Sequence, residues 1–508
     1  MKHVTFASFF LILMVGLSPI QAQHSKDTLS DFILTPKELQ EDFRFLKRIL
    51  TETHPGLYRY SSNEKMDRKM DSLSALLNKP MTFYDFHLLL ADLIASIRCA
   101  HTYLTPTKNL ESYYVNHLKT FPFMIFFIEG KYFVTVNGTN NPSIEPGNEL
   151  VTINGQAVLD IRAKMKKYLW ADGYNEIFKN KAMNEVMFPL FYYLLIERPE
   201  VFNLVCKDNN GNKISLSVRA QPLKETLKNF RRNRVNKQIL SVAGKRNKLD
   251  QKKGWRLDIR KEEAVGVMRI TGFGGGENET EARLKMRIFL DGCMKQLSDA
   301  KIKDLILDLR YNGGGWDIQG VELFTYLIKE PMRCYRRLHS ITDSTEFLKF
   351  SDLPPADRRK TKQELKREPD GTFSVQEEFS EQLKVQQPKS NRFKGNVYLL
   401  ANGGSASTTG EFIAYTKSAH LATIIGEETG SAYEGGNGGT FLHFDLPHSK
   451  ISVGTPLLFY ENEVTPPSQK GRGTLPDFIV PNTMNDILKG YDTQLQFTLN
   501  LIKQSRAN

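Results

Sequence analysis

Cysteine is scarce in this chain of 508 residues: Cys99, Cys206, Cys293 and Cys334 stand singly. Such scatter excludes a zinc site or a paired disulfide framework as the organising element, and free buried thiols are expected instead. Beyond the first residues no apolar run reaches the roughly 20 residues that span a bilayer, so no transmembrane segment is expected in the mature chain. The string Gly272-Phe273-Gly274-Gly275-Gly276 has no Lys-Ser/Thr behind it, which excludes a nucleotide-binding P-loop. No internal repeat is present, and no metal or cofactor is called for. Lysine is missing between Lys417 and Lys450, so no amine from that stretch can serve as a base.

Positive charge is concentrated rather than spread. The net charge is +12, and residues 224–261 alone hold fourteen Lys/Arg against three Asp/Glu, with few aromatics between them. A solvated basic linker over 223–261 fits this pattern, and no nucleic-acid partner is expected. Docking on a polyanionic surface would have to reside in this one segment. At the start, Lys2 and His3 precede an apolar core over 9–17, and Ser18-Pro19-Ile20-Gln21-Ala22 offers a cleavage site before Gln23. Residues 1–22 therefore read as a signal peptide, with export to the periplasm or the extracellular space.

Periodicity divides the rest. Leu39, Phe43, Leu46 and Leu50 recur at helical spacing, as do residues 86–97, which predicts a helical N-terminal region over 23–118. Alternating strands follow at 121–127 and 132–136. Next comes Ile144-Glu145-Pro146-Gly147-Asn148-Glu149-Leu150-Val151-Thr152-Ile153-Asn154-Gly155-Gln156-Ala157-Val158, which predicts a Pro-Gly turn, a β-branched strand and an Asn-Gly hairpin. This string resembles the core of a PDZ domain. A PDZ-like β-rich module is accordingly expected over 119–222, with a helical insertion at 160–200. The resemblance implies capture of an extended chain terminus along a sheet edge. Residues 262–482 alternate strands (265–271, 304–309, 396–401, 422–426) with helices (279–298, 316–329, 411–420), which predicts an α/β domain. Within it, 351–392 read as a charged surface insertion, and 483–508 as a C-terminal helix. The fold class expected is α/β multidomain.

The chemistry centres on Asn402-Gly403-Gly404-Ser405-Ala406-Ser407-Thr408-Thr409-Gly410-Glu411, between the apolar run Val397-Tyr398-Leu399-Leu400 and a helical pattern from Phe412. A small-residue turn there can hold a serine at the sheet edge, beside helix N-terminal N–H groups that favour developing negative charge. A serine that merely caps the helix would leave the same local signature. The turn has company, however. Upstream, Lys303-Asp304-Leu305-Ile306-Leu307-Asp308-Leu309-Arg310-Tyr311-Asn312-Gly313-Gly314-Gly315 runs from a strand into a three-glycine turn. Downstream lie Thr423-Ile424-Ile425-Gly426-Glu427-Glu428-Thr429-Gly430 and Gly471-Arg472-Gly473-Thr474-Leu475-Pro476-Asp477.

These four elements, in this order, resemble the tail-specific (C-terminal-processing) serine protease family, which includes the tricorn core protease. The resemblance implies an α/β serine protease domain with Ser407 as nucleophile, the second serine of Ser-x-Ser. Ser405 is the alternative, because Glu411 stands one position later than the family's acidic residue. One branch of the family takes a lysine as base, but Ala432 holds that place here. The tricorn-like branch takes a histidine ahead of its PDZ-like module, and Ser96-Ile97-Arg98-Cys99-Ala100-His101-Thr102-Tyr103 matches that segment with His101. A neutral imidazole suits proton transfer near neutral pH. His443 is held in reserve.

That branch orients its histidine with a glutamate, whose position is Lys470 here; Glu463 is taken in its stead, with Glu461 beside it. The resemblance places the oxyanion donors at Gly313, Gly314 and the Thr408 N–H, and Asp308 and Arg310 are expected to fix the glycine turn. The function expected is an exported serine endopeptidase acting on extended or unfolded polypeptides, engaged near the substrate C-terminus, without metal or nucleotide. The alternative is a non-catalytic ligand- or peptide-binding protein on the same scaffold, like the retinoid-binding interphotoreceptor protein. Lys470 and the shifted Glu411 favour it.

Overall fold

Helices Pro36–Thr53, Asn63–Ala75 and Phe83–Ile97 open the computed structural model, which describes residues 33–105, 117–184, 187–242, 250, 254–343 and 345–507. The expected signal peptide lies outside those residues. A capping box starts the first helix: the Thr35 hydroxyl accepts from the Glu38 N–H, and Glu38 reaches back to the Thr35 N–H. Leu39, Phe43, Leu46 and Leu50 are all buried, forming the apolar stripe that their spacing predicts. The third helix ends at Arg98 in the left-handed conformation (φ 62°). The chain then turns into the short strand Tyr103–Thr105, which pairs with Ser452, Val453 and Gly454 far along the sequence.

The middle of the chain is an antiparallel sheet in the order Lys213–Arg219, Val201–Lys207, Glu149–Ile153, Lys131–Asn137, Phe123–Ile128. Asn154 and Gly155 both take positive φ (50° and 78°), as a tight Asn-Gly hairpin requires. Helices Val158–Lys166, Glu176–Ala182 and Met187–Leu195 are inserted between Glu149–Ile153 and Val201–Lys207. Phe121, Phe188, Tyr192 and Phe202 stack into an aromatic core between sheet and helices.

The stretch expected as a basic linker is more structured than its charge suggests. Leu223–Arg232 is a helix whose Phe230 packs with Val136 and Ile239, and Trp255–Arg260 is an edge strand of the next sheet. A charge run identifies a wet face; it does not exclude an apolar one opposite.

That next sheet runs Trp255–Arg260, Val265–Ile270, Asp304–Asp308, Asn396–Ala401, Thr423–Gly426, Phe478–Ile479. Its first pair is antiparallel and the others parallel. Alternate residues face opposite layers. Leu305, Leu307 and Leu399 pack with Met286, Val321 and Phe412 of the helices Glu279–Asp299, Asp317–Thr325 and Thr408–Ser418, while Ile306, Leu400 and Ile425 pack with Leu499 and Ile502. Glycine-bearing loops at the C-terminal ends of the parallel strands place the candidate site there.

A further sheet follows the order Leu365–Arg367, Phe373–Val375, Tyr335–Ser340, Ser452–Asn462, Gly435–Asp445. Its Leu442, Phe444, Val453 and Leu457 share a core with Leu46, Leu50 and Leu90, so the N-terminal helices are packed on the C-terminal half. Residues 351–392 supply two of these strands as a hairpin, and the helix Pro355–Glu364 ahead of it buries nothing. The single helix expected over 483–508 is two, Met484–Lys489 and Thr493–Ala507, because Gly490 (φ 67°) terminates the first in the left-handed region. Among the described residues no helix is long and apolar enough to cross a membrane.

The break at Gly490 brings Asp492 to Arg310. Arg310, 4% exposed, donates Nε to Asp308 Oδ1 and Nη2 to Asp308 Oδ2 and Asp492 Oδ2, each at 2.8 Å. Arg269 Nη1 lies 2.8 Å from Asp308 Oδ2 as well. Arg310→Ala is expected to cost about 3 kcal/mol, since it removes one partner of a buried ionic network. The measurement is the urea unfolding midpoint, and an unshifted midpoint would show that the network does not hold the strand end.

Candidate active site

Ser407 stands at the N-cap of Thr408–Ser418 with φ 55° and ψ −136°. That conformation costs a residue with a Cβ about 1–3 kcal/mol and persists only where neighbours impose it. Here they do. The Ser407 N–H donates to Ser431 Oγ at 2.6 Å, the Ala406 N–H to the Asn312 carbonyl at 3.1 Å, and Thr408 Oγ1 to the Gly315 carbonyl at 2.9 Å. Asn312, fully buried, donates Nδ2 to the Ile270 carbonyl at 3.1 Å and accepts the Gly314 N–H on Oδ1 at 3.0 Å.

The glycine loop and the serine turn are therefore one assembly. A Cβ on Gly314 (φ 95°) would lie 2.7 Å from Ser407 Cβ and 3.0 Å from the Thr408 N, and one on Gly315 (φ 137°) would meet the Phe273 carbonyl at 1.7 Å. Both positions need glycine. The N–H groups of Gly313 and Thr408 have no acceptor among the described residues, so they can serve an oxyanion. The Gly314 N–H, also expected as a donor, is committed to Asn312; Gly314 contributes through the side chain it lacks.

His101 reaches this region on a loop tied at the residues on either side of it. The Ala100 N–H donates to Asp172 Oδ1 at 2.8 Å, Asn437 Nδ2 to Cys99 Sγ at 3.3 Å, and Thr102 Oγ1 bonds His54 Nε2 at 2.7 Å. Ala100, Ala171, Phe178 and Ala406 form one apolar cluster, which brings the residue before His101 and the residue before Ser407 to the same few side chains. The His101 ring packs on Phe441 at 5.3 Å between centroids. The ring as a whole is half-buried, while its Nδ1 is enclosed without a partner. Burial pushes the imidazole pKa below its ordinary value, and Asp172 opposes that shift. Asp172 is 3% exposed and its Oδ2 has no partner either. Burial raises its pKa, with His101 the largest opposing influence.

The other residues that the sequence nominated lie elsewhere or are engaged. Ser405 is fully buried, donating Oγ to the Leu309 carbonyl at 3.0 Å and accepting the Asn402 N–H at 3.1 Å, so its hydroxyl is structural. Glu463 is exposed, 3.3 Å from Arg336 Nη2, and its backbone N–H donates to the Cys334 carbonyl. A strand-end position two residues from Glu461 proved no guide to where its carboxylate goes. Lys470 is exposed. His443 is held between Asp352 (2.9 Å) and the Tyr103 hydroxyl (3.0 Å). Glu411 is buried behind the turn, accepting from the Tyr335 hydroxyl at 2.7 Å, and burial pushes its pKa up to about 8. Asp308 and Arg310, expected to fix the glycine turn, bond each other at the end of their strand, where Arg310 also holds Asp492, while Asn312 holds the Gly314 N–H.

Two residues at the site carried no signal strong enough to nominate them. Ser431 sits one place before Ala432 in the Gly-Glu-x-Thr region, and Asp172 lies in Trp170-Ala171-Asp172-Gly173-Tyr174, a turn inside an aromatic-rich insertion. The Asp-Gly pair marks the turn, but nothing in the local pattern says which loop it meets.

A strained serine at a helix N-terminus, beside a glycine loop with N–H groups that lack an acceptor among the described residues, is the arrangement that acyl-transfer chemistry at a serine requires. Residues 264–478 match Peptidase family S41, and this part of the chain is a serine-peptidase domain of that family's type. Mature CPAF is similar in fold at 15% sequence identity, with a TM-score of 0.60 over 92% of this chain and 97% of that one. Mature CPAF complexed with lactacystin gives a TM-score of 0.59 at 14% identity, over 92% of this chain and 98% of that one. No curated protein matches the chain.

Gly314→Ala is expected to lower turnover on the order of 100-fold, because its methyl group would displace Ser407 and the Thr408 N–H together. Circular dichroism of the variant should remain native. Wild-type turnover in this variant would mean that the loop does not border the reacting carbonyl.

Proposed function

We propose that this peptidase is an endopeptidase in which Ser407 is the nucleophile and His101 the general base. The observation that carries the reading is Ser407, the one serine at positive φ among the described residues, at a turn where the Gly313 and Thr408 N–H groups have no acceptor among those residues, with its neighbour Ala406 packed with the neighbour of His101. In the reaction, Ser407 Oγ attacks the scissile carbonyl carbon and its proton passes to His101 Nε2. The Gly313 and Thr408 N–H groups hold the oxyanion. Collapse breaks the C–N bond, and the leaving amine takes the proton from His101. Water, deprotonated by the same imidazole, then releases the acyl group and restores the serine.

An extended substrate fits the surroundings. Gly435–Asp445 is the outer strand of its sheet, and near His101 it presents the exposed Gly439 and the half-buried Phe441. A peptide can run alongside such an edge only if it is itself extended or unfolded. The pattern of residues 1–22 supports action outside the cytoplasm.

Casein hydrolysis by the mature protein tests the reading. Ser407→Ala should abolish cleavage, and His101→Ala should reduce it on the order of 1,000-fold. Ser405→Ala should keep the chemistry while losing about 1–2 kcal/mol of stability. Cleavage that survives Ser407→Ala but not Ser405→Ala would overturn the assignment. The pH profile follows from the direction of the His101 shift. Only the neutral imidazole accepts the serine proton, and a lowered pKa keeps it neutral to more acidic pH. The acid limb of kcat/KM should therefore fall below the ordinary imidazole value of about 6.5; a limb above that value would exclude His101 as the titrating base.

A further inference from the structure

Ser431 comes from the loop after Thr423–Gly426 and is 4% exposed. A hydroxyl carries one donor and two acceptor sites. Ser431 Oγ nevertheless has one hydrogen-bond partner among the described residues, the Ser407 N–H at 2.6 Å. Its close approach depends on Gly410, in the first turn of Thr408–Ser418, where a Cβ would lie 2.6 Å from Ser431 Cβ and 2.9 Å from its Oγ. The hydroxyl is thus seated against the start of this helix, on the turn whose backbone is strained at φ 55°.

The loop that carries Ser431 is placed without help from Ser407. The Thr429 N–H donates to the Thr474 carbonyl at 3.1 Å, and Thr429 Oγ1 accepts the Thr474 N–H at 2.8 Å. Asn175 Nδ2 donates to the Thr429 carbonyl at 2.6 Å, and the Gly430 N–H to the Ser405 carbonyl at 2.9 Å. On the other side Ala432 bridges to Gly473. A hydroxyl on a loop held from both sides fixes the group it binds and does not follow it. The Ser407 N–H is thereby committed, while those of Gly313 and Thr408 have no acceptor among the described residues.

We infer that Ser431 is the positioning residue of the nucleophile: by accepting the Ser407 N–H it holds the strained turn, and with it Ser407 Oγ, in place beside the Gly313 and Thr408 N–H groups. That role rests on the reading of Ser407 as nucleophile. It also gives this segment a use other than supplying a base. Ala432 has no group that takes a proton, and the residue before it offers an acceptor for the serine backbone.

The competing role is passive, with Ser431 packed on Gly410 and its hydroxyl merely sharing a buried bond. Ser431→Ala removes the acceptor and Ser431→Cys weakens it, while both keep a small side chain against Gly410. In each, kcat of the mature protein on casein should fall on the order of 10- to 100-fold with KM little changed. Gly410→Ala, which displaces the hydroxyl without removing it, should show the same split. A second readout does not depend on cleavage. In protein labelled with ¹⁵N-serine, the Ser407 amide, assigned by its loss in Ser407→Ala, should exchange its proton slowly, and about tenfold or more faster in Ser431→Ala. A passive role would leave kcat at the wild-type value in both Ser431 variants, and that result overturns the inference. A wild-type Ser407 amide that exchanges as fast as an unbonded one overturns it too, even if the variants fail to fold. The reading of Ser407 fails separately: undiminished cleavage by Ser407→Ala would remove it as nucleophile, while amide exchange would still decide whether Ser431 holds the turn.

Discussion

The geometry of the candidate site depends on one interlock, the docking of the loop after Asp304–Asp308 against the turn after Asn396–Ala401. These strands are neighbours in a parallel sheet, so their C-terminal loops meet by topology. What converts proximity into fixed geometry is a set of bonds between the two loops. The Tyr311 N–H binds Asn402 Oδ1, Ser405 Oγ binds the Leu309 carbonyl, and the Ala406 N–H binds the Asn312 carbonyl. Each uses a backbone group that would otherwise be buried without a partner. Through them the strain at Ser407 is sustained, and the Thr408 and Gly313 N–H groups are left over for an oxyanion. Ser405 and Asn312 hold the two loops together, and of the two Asn312 makes the bonds nearest the Ser407 turn.

Much of that assembly was legible in the sequence, because it is local. An apolar run into Gly313-Gly314-Gly315, and another into Ser405-Ala406-Ser407, are strand-to-turn signals whose meaning lies within a dozen residues. Parallel strands bring their C-terminal ends to the same edge, so two such motifs in one α/β domain are expected to meet. The same holds for the Asn154-Gly155 hairpin and the stripe of Leu39, Phe43, Leu46 and Leu50. The family resemblance puts an oxyanion donor at Gly314. The Asn312 side chain, two residues earlier, takes that N–H, and only the three-dimensional turn reveals it.

What the sequence did not disclose are contacts between distant segments. Glu463 follows a strand as the sequence reading has it, but that strand ends at Asn462 and the side chain is exposed beside Arg336. Asp172 lies in the stretch expected as a helical insertion, and nothing local to it marks the Ala100 N–H as its partner. The basic stretch read as linker because charge dominates composition, while Phe230 and Trp255, each a lone aromatic, anchored a helix and an edge strand there. The C-terminal helix was drawn through Gly490, where one left-handed residue ends it and turns Asp492 onto Arg310.

The histidine shows why the whole chain takes part in the site. Its loop has no regular structure of its own between Arg98 and Tyr103, so its shape comes from partners: His54 from the N-terminal helices, Asp172 from the middle insertion, and Asn437 with the Ser452–Gly454 strand from the C-terminal half. A side chain on a loop is held only as well as its anchors are held relative to one another. Here those anchors are tied into one core, since Leu50 and Leu90 of the helices pack with Leu442, Phe444 and Val453 of the sheet. Ser407 and His101 are thus placed by different means. The serine is set by short-range hydrogen bonds between two adjacent loops, and the histidine by the packing of all three regions. Disturbing that packing anywhere along the shared core should loosen His101 before it disturbs Ser407, because the interlock around Ser407 closes on itself and the loop around His101 does not.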